Sequence, residues 1–131
     1  MKARKIIFEN FKDAREYGRR AYRKAVAVEY LLPLSERKNI RTALEYVQGG
    51  SDGRRAATPT EVEMWWQVES EFNRAFAIED KIYQRAMWGF SGNKYARKKF
   101  LSQEGIDYKC AASRYARASD MLAHWLLERY K

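Results

Sequence analysis

Apolar residues that recur three and four positions apart constrain this 131-residue chain most strongly. Such spacing places them on one side of an α-helix, whereas a half-buried strand would alternate at every second residue. The clearest case spans residues 7–32, where a seam of mostly small residues would let another helix approach closely: Phe11, Ala14, Gly18, Ala21, Ala25, Val28 and Leu32. No stretch gives a convincing strand pattern. The sequence therefore predicts an all-α fold, a small bundle of four or five helices.

Proline and glycine residues mark where the first two helices end. Pro33 ends or bends the first helix, because its ring does not fit a helix interior. Ser35 is a suitable N-cap for a second helix, which Gly49 and Gly50 stop. Residues 51–57 then form the one flexible-looking stretch, which is too short to establish a domain linker.

The third helix has the clearest start signal in the sequence. Thr58 can cap it, Pro59 suits the first helical position, and Glu61 completes a capping box. Four large residues form its predicted core stripe: Trp65, Val68, Phe72 and Phe76. Two readings stay open beyond Ala77: the helix continues, or it breaks there and the acidic residues that follow begin a new first turn.

Two further helices are predicted in the C-terminal third, joined by a very short turn at Gly105. Gly89 ends the helix before them, and Ser91 or Asn93 caps the first of the pair. Asp107 caps the second, which extends close to the C-terminus. Two helices joined by so short a turn are what a helix-turn-helix requires.

Charge is distributed unevenly along the chain, whose net charge is +9. Residues 1–25 contain nine Lys/Arg and three Asp/Glu, a net charge of +6. Residues 89–117 contain seven and two, a net charge of +5, whereas residues 59–88 contain three and six, a net charge of −3. Two basic regions around an acidic middle favour a polyanion partner, most simply nucleic acid, over a merely solvated basic surface. The chain divides into a basic helical segment over 1–58 and a helical domain over 59–131, or forms one compact domain.

The last helix has two faces of different composition. With Ala111 facing inward, a rotation of about 100° per residue places a mostly apolar set on the same side: Tyr115, Ala118, Leu122 and Trp125. The opposite face alternates small residues with long donors, with Arg114 at its border: Lys109, Ala112, Ser113, Ala116 and Arg117. Small side chains would let the backbone approach a DNA groove, while Arg and Lys would reach guanine edges or phosphates.

Within this helix and the turn before it, the stretch GIDYKCAASRYARA (105–118) resembles the end of the helix-turn-helix in region four of bacterial sigma factors and in sigma-like regulators of bacteriophages. In that family a glycine, an aliphatic residue and a small or acidic cap start the recognition helix. A small core residue, a Ser-Arg pair and an Arg-Ala pair follow. The matching residues here are Gly105, Ile106, Asp107, Ala111, Ser113–Arg114 and Arg117–Ala118. The resemblance covers 79–126 and implies a recognition helix that reads double-stranded DNA.

A second basic surface is predicted on the first helix, with Tyr22 beside it. Its members recur three or four positions apart: Lys12, Arg15, Arg19 and Arg23. Contact with phosphate and a simply solvated face are equally good interpretations of this stripe. Lys94 and Lys98, on the helix before Gly105, complete the predicted DNA-binding set of Arg15, Arg19, Arg23, Lys94, Lys98, Lys109, Ser113, Arg114 and Arg117.

The sequence gives little indication of catalysis, and no cofactor or metal is expected. Cys110 and His124 are the only residues of their types, so they form neither a zinc site nor a convincing nucleophile pair. His124 is predicted to be a structural residue within the packed last helix. Trp65 is assigned to the core, and Trp66 is the better candidate for an exposed protein contact.

These observations predict a sequence-specific binder of double-stranded DNA, a transcriptional regulator of phage or prophage type without a catalytic centre. One alternative is the DNA-recognition subunit of a phage packaging terminase. Another is an adaptor that binds RNA polymerase or another protein, and a homo-oligomer fits any of these. No apolar run approaches the roughly 18–20 residues of a membrane span, and no signal peptide is recognisable. A cytoplasmic location, in a bacterium or in the host cell of a phage, is therefore expected.

Overall fold

The computed structural model describes residues 8–29, 31–32 and 57–130. Within these ranges the chain forms five α-helices: α1 (Phe11–Glu29), α2 (Pro59–Ser70), α3 (Lys81–Phe90), α4 (Lys94–Glu104) and α5 (Tyr108–Arg129). Two short 3-10 helices join α2 to α3: η1 (Phe72–Ala75) and η2 (Ile78–Asp80). The described residues contain no strand, so the predicted all-α bundle is confirmed. The second predicted helix, with its signals at Pro33, Ser35, Gly49 and Gly50, lies outside them.

Side-chain caps start three of the helices at the predicted residues. Thr58 Oγ1 accepts from the Glu61 amide at 3.2 Å and Glu61 Oε1 accepts from the Thr58 amide at 3.0 Å, which is the predicted capping box of α2. Asn93 and Asp107 each accept from the backbone amide three residues on, at 2.9 and 2.7 Å. Asn93, rather than Ser91, is therefore the cap of α4.

Two glycines of the C-terminal third have different roles. Gly105 ends α4 as predicted, with a φ of 65° in the left-handed region that favours glycine. The prediction that Gly89 ends α3 is wrong by one residue, because α3 continues to Phe90. A Cβ built on Gly89 would collide with the ring of Phe100, so this glycine instead allows α4 to pack closely on α3.

The chain breaks its α-helical course between α2 and α3. α2 ends at Ser70, and the two 3-10 helices redirect the chain before α3 begins at Lys81. The predicted core stripe stays buried across this break: Trp65, Val68, Phe72 and Phe76. The 3-10 turns therefore keep two large aromatic side chains in the core although both lie beyond the end of α2.

The main core lies between α1, α2 and α5. The predicted seam of α1 is confirmed, because six of its residues are buried and Phe11 is half-buried. α5 comes close to α1 at Gly18, where an added Cβ would lie only 2.6 Å from Cδ2 of the fully buried Leu122. α1 thus shares one core with the helices that follow residue 57.

A smaller core joins α3, α4 and the beginning of α5. It is formed by Ala86, Phe90, Phe100 and Ala111, with Leu101 partly buried against them. α4 packs mainly on α3, whereas α5 runs along both α3 and α1. α4 and α5 are consecutive helices joined at Gly105, as a helix-turn-helix requires. The helix-turn-helix motif itself stays a prediction.

Candidate nucleic-acid interface

The two faces of α5 are arranged as the sequence predicts. On the inward side Ala111, Ala118 and Leu122 are buried, and Tyr115 and Trp125 are partly buried. The outward residues are largely exposed: Lys109, Ser113, Ala116 and Arg117, with Ala112 and Arg114 at intermediate exposure. The long donors and the small residues between them therefore share one accessible face of the helix.

Arg117 is exposed, but a contact with a neighbouring helix restricts its side-chain conformation. Its guanidinium carbon lies 5.4 Å from the centre of the Tyr83 ring, so α3 supports it from one side through a cation–π contact. Such a contact limits the conformations of a long side chain while leaving its N–H donors accessible. Of the predicted base-reading residues, Arg117 is accordingly the one with a defined starting position.

α4 presents a second row of donors. Lys94 and Lys98 are exposed, as predicted for DNA contact. Arg97, between them, points the other way: its Nε donates to the carbonyl oxygen of Phe90 at 2.9 Å, and its guanidinium lies 4.7 Å from the Phe90 ring centre. Arg97 thus anchors α4 to the end of α3 and leaves the lysines facing solvent.

Phe90, at the end of α3, contacts both α4 and α5. The Phe90 ring lies 5.3 Å from the Tyr108 ring of α5 and also supports Arg97 of α4. Arg97 of α4 and Tyr108 of α5 therefore border the same ring. We call the predicted donors on these two helices the α4–α5 face: Lys94, Lys98, Lys109, Ser113, Arg114 and Arg117.

Both acidic residues of the basic region 89–117 are engaged in structural contacts. Glu104 forms an ion pair and a hydrogen bond with Arg85 of α3, and this hydrogen bond raises the pKa of Arg85. Asp107 is the cap of α5. Arg85 therefore compensates the charge of Glu104, and the region 89–117 keeps more cationic than acidic side chains.

The predicted basic stripe of α1 is divided by its contacts with α5. Arg19 Nε donates to Ser119 Oγ at 2.9 Å, and its guanidinium lies 4.9 Å from the Tyr115 ring centre. Arg15 lies 3.5 Å from a carboxylate oxygen of Asp120. Lys12 and Arg23, by contrast, are exposed. Two of the three predicted arginines of α1 therefore connect helices.

The prediction that Tyr22 lies beside that stripe at the surface is wrong. Tyr22 is fully buried, and its hydroxyl donates to Asn73 Oδ1 at 2.5 Å. Burial, followed by the nearby charge of Glu69, raises the pKa of this hydroxyl, so it stays a neutral donor. Its position four residues after Gly18 and three before Ala25 placed it next to the seam, a signal that sequence reasoning overlooked.

Two exposed tyrosines are candidate contact residues that the sequence analysis missed. Tyr95 of α4 is 84% exposed and Tyr108 of α5 is 58% exposed. Each stands in the first turn of its helix, next to lysines of the α4–α5 face. The signal was present in the helical spacing of α4, which turns Tyr95 to the side opposite the buried Phe100.

His124, predicted to be structural, is exposed on α5, and its ring packs on Phe11 with 4.8 Å between ring centres. Cys110 is partly buried. Trp65 is buried and Trp66 is 43% exposed, both as predicted. Within the described ranges, no group of three or more His, Cys, Asp and Glu side chains could hold a metal ion.

An open groove of about 650 Å³ lies between α1, α2, α3 and α4. Its described walls include Glu69, Arg85, Trp88 and Lys99, but none of the nine predicted DNA-binding residues. Partial burial raises the pKa of Glu69, and the neighbouring Glu29 adds to this effect. The groove is therefore a site of mixed charge, distinct from the α4–α5 face.

Comparison with known proteins adds no relative. No protein-family model matches the chain, and no curated protein or solved structure matches it either. Among the helices of the described ranges, none is long and apolar enough to cross a membrane.

Proposed function

We propose that the chain binds double-stranded DNA through the α4–α5 face. The observation that carries this proposal is the exposure of several cationic donors on two consecutive helices, while Glu104, one of the two acidic residues of the region, is paired with Arg85. Exposed lysines in a region of net positive charge attract a polyanion and position its phosphates. DNA binding by this face requires no further charged region.

Sequence reading is proposed for α5. Ser113 and Ala116 leave room for close approach to a groove, while Arg117 has the donor geometry that recognises guanine. The resemblance of residues 105–118 to a sigma-like recognition helix supports this assignment and the role of a transcriptional regulator of phage or prophage type. The protein is on this proposal a regulator that acts by binding rather than by catalysis.

α1 has a different part in the proposal. Because Arg15 and Arg19 contact α5, they hold the reading helix against the main core instead of contacting phosphate. Lys12 and Arg23 remain exposed and accessible to phosphate. The strength of binding is therefore expected to depend on α4 and α5 more than on α1.

The class of function is tested by titrating labelled duplex DNA at a series of salt concentrations. If about five phosphates are neutralised, the slope of log affinity against log salt is about −4 to −5. Lys109→Ala should make this slope shallower by about 0.9. Arg74→Ala, which removes an exposed positive charge of η1, is the matched control and should leave the slope unchanged. Absence of duplex binding at about 50 mM salt would contradict the proposal.

Sequence reading is tested with Arg117→Ala on selected and random duplexes. Loss of a bidentate guanine contact should weaken binding to the preferred site by about 1–3 kcal/mol, with a smaller loss on random DNA. Lys109→Ala should weaken both alike, because a phosphate contact carries no sequence information. Equal losses on both DNAs for Arg117→Ala would show that α5 binds without reading bases.

A protein-binding adaptor remains the second candidate, because Trp66 stands 43% exposed in the acidic region 59–88. Exposed tryptophans are enriched at protein interfaces. RNA polymerase is the partner proposed for it. In this case Trp66→Ala should weaken binding to purified polymerase while Lys109→Ala does not, which is the reverse of the result expected for DNA.

A further inference from the structure

Exposed tyrosines distinguish the α4–α5 face from a purely ionic surface. Tyr95 and Tyr108 are two of the four large hydrophobic side chains most exposed among the described residues. Both stand in the first turn of a helix, where Lys94 and Lys109 are also exposed. Each exposed ring therefore has an exposed ammonium group next to it in the chain.

The Tyr108 ring is supported from behind. It lies 5.3 Å from the Phe90 ring, which in turn lies 5.1 Å from the Tyr115 ring. Arg97 covers another part of Phe90, at 4.7 Å from its centre. One side of Tyr108 is thus held by a fixed row of rings while more than half of the residue is open to solvent. A platform held in this way loses little conformational entropy when a flat ligand stacks on it.

The chemistry of this surface matches a nucleic acid whose base faces are accessible. In a closed duplex each base is covered above and below by its neighbours, so a protein meets only phosphates, sugars and base edges. Unpaired bases expose a π-face, and aromatic side chains beside a cationic track bind them with little dependence on sequence. The lysine beside each tyrosine in the chain would hold a phosphate next to such a base.

We propose that Tyr95 and Tyr108 stack on unpaired bases, so that the preferred partner of the α4–α5 face is DNA with an unpaired stretch within a duplex. The inference rests on the proposed function, since the lysines that bind the duplex are the same. It adds a distinct contact, which duplex DNA alone does not provide.

The test compares two labelled DNAs of equal length and equal phosphate number, one fully paired and one with a central mismatched bubble. Fluorescence anisotropy at about 100 mM salt gives both affinities for the full chain. The bubble should bind at least tenfold more tightly than the paired duplex. Tyr95→Ala and Tyr108→Ala should each weaken bubble binding by about 5- to 150-fold, the range expected for loss of one stacked base, and change duplex binding little.

Matched variants separate stacking from other effects. Tyr95→Phe and Tyr108→Phe keep the ring and should keep the preference for the bubble. Trp66→Ala removes an exposed aromatic ring from α2 and should leave both affinities unchanged. Lys98→Ala should weaken bubble and duplex by the same factor, because each contains the same phosphates. Thermal melts confirm that every variant is folded before binding is compared.

The outcomes distinguish this inference from the function on which it rests. Equal affinity for bubble and duplex, in a chain that binds both, would overturn the stacking proposal and leave duplex binding intact. A bubble preference that survives in a folded Tyr95→Ala/Tyr108→Ala double variant would overturn it too, because flexibility of the bubble would then explain the preference. Failure to bind either DNA would overturn both proposals together.

Discussion

The two basic regions of the chain have similar charge but different structural roles. In α1, Arg15 and Arg19 contact α5 through a carboxylate, a hydroxyl and an aromatic ring. On the α4–α5 face, Lys98 and Lys109 contact solvent. The difference follows from what stands opposite each residue: α1 is covered by a second helix, whereas the outer sides of α4 and α5 face none of the other described helices. A count of basic residues therefore does not locate a binding surface until the helix partners are known.

The largest expected effect is a loss of stability in the smaller core, which supports the α4–α5 face. Ala111→Glu should destabilise the fold by more than about 3 kcal/mol, because it places an unpaired carboxylate in the fully buried cluster of α3, α4 and α5. Ala116→Glu is the matched control: the same change on the exposed side of α5 should cost less than about 0.5 kcal/mol. Urea unfolding measures both, and equal losses would contradict the orientation of α5.

A direct contrast between the regions comes from Arg19→Ala and Lys109→Ala. Arg19→Ala should lower the free energy of unfolding by about 1–2 kcal/mol, since Ser119 is buried and loses a charged donor while Tyr115 loses its cation. Lys109→Ala should leave stability nearly unchanged and weaken DNA binding. A thermal midpoint unaffected by Arg19→Ala, with weaker DNA binding, would mean that α1 is a phosphate surface after all.

A smaller effect should appear in the salt dependence of DNA binding. Lys98→Ala should make the salt slope shallower by about 0.9. Arg15→Ala removes the same charge but should leave that slope unaltered and alter stability by less than about 1 kcal/mol, as expected for a partly exposed ion pair. The two slopes, measured on the same duplex, show directly whether the regions differ in function. If both substitutions changed the salt slope equally, the proposed difference between α1 and the α4–α5 face would be contradicted.

The smallest expected effect is a change in stability at Glu69, in the acidic region 59–88 between the two basic regions. Burial raises the pKa of Glu69 above its ordinary value, so the folded state holds this proton more tightly than the unfolded chain does. Ionised Glu69 thus destabilises the fold at neutral pH, and this penalty disappears as the pH falls through the raised pKa. Glu69→Gln should gain less than about 0.5 kcal/mol at pH ~7 and nothing at pH ~3, where the Glu69 carboxyl is protonated in both the folded and the unfolded chain. A gain that persists at the lower pH would exclude this cause.

Local signals in the sequence predicted much of the fold. Each cap at Thr58, Asn93 or Asp107 binds an amide only three residues away, and the left-handed Gly105 ends α4 without reference to distant partners. The α1 seam and the two faces of α5 likewise follow from spacing within a single helix. Such features are predictable because donor and acceptor, or neighbouring side chains, lie within one or two helical turns.

Features that depend on partners far apart in the sequence were not predictable in this way. The Arg19–Ser119 hydrogen bond joins residues 100 positions apart, and the Tyr22–Asn73 bond joins residues 51 positions apart. Nothing near Arg19 indicates that a hydroxyl of α5 will stand opposite it. Helical spacing identifies which side of a helix is polar, but it does not reveal whether solvent or another helix lies there.

α1 and α5 pack together but lie far apart in the sequence, which has a consequence during synthesis of the protein. Gly18 packs against Leu122, so this part of the α1 seam stays uncovered until residue 122 has left the ribosome. At typical elongation rates of about 5–20 residues per second, that interval lasts on the order of 5–20 seconds. A nascent chain that stalls after α4 would leave the seam around Gly18 uncovered, which makes it a candidate for chaperone binding or degradation. Only the synthesis of α5 closes the main core.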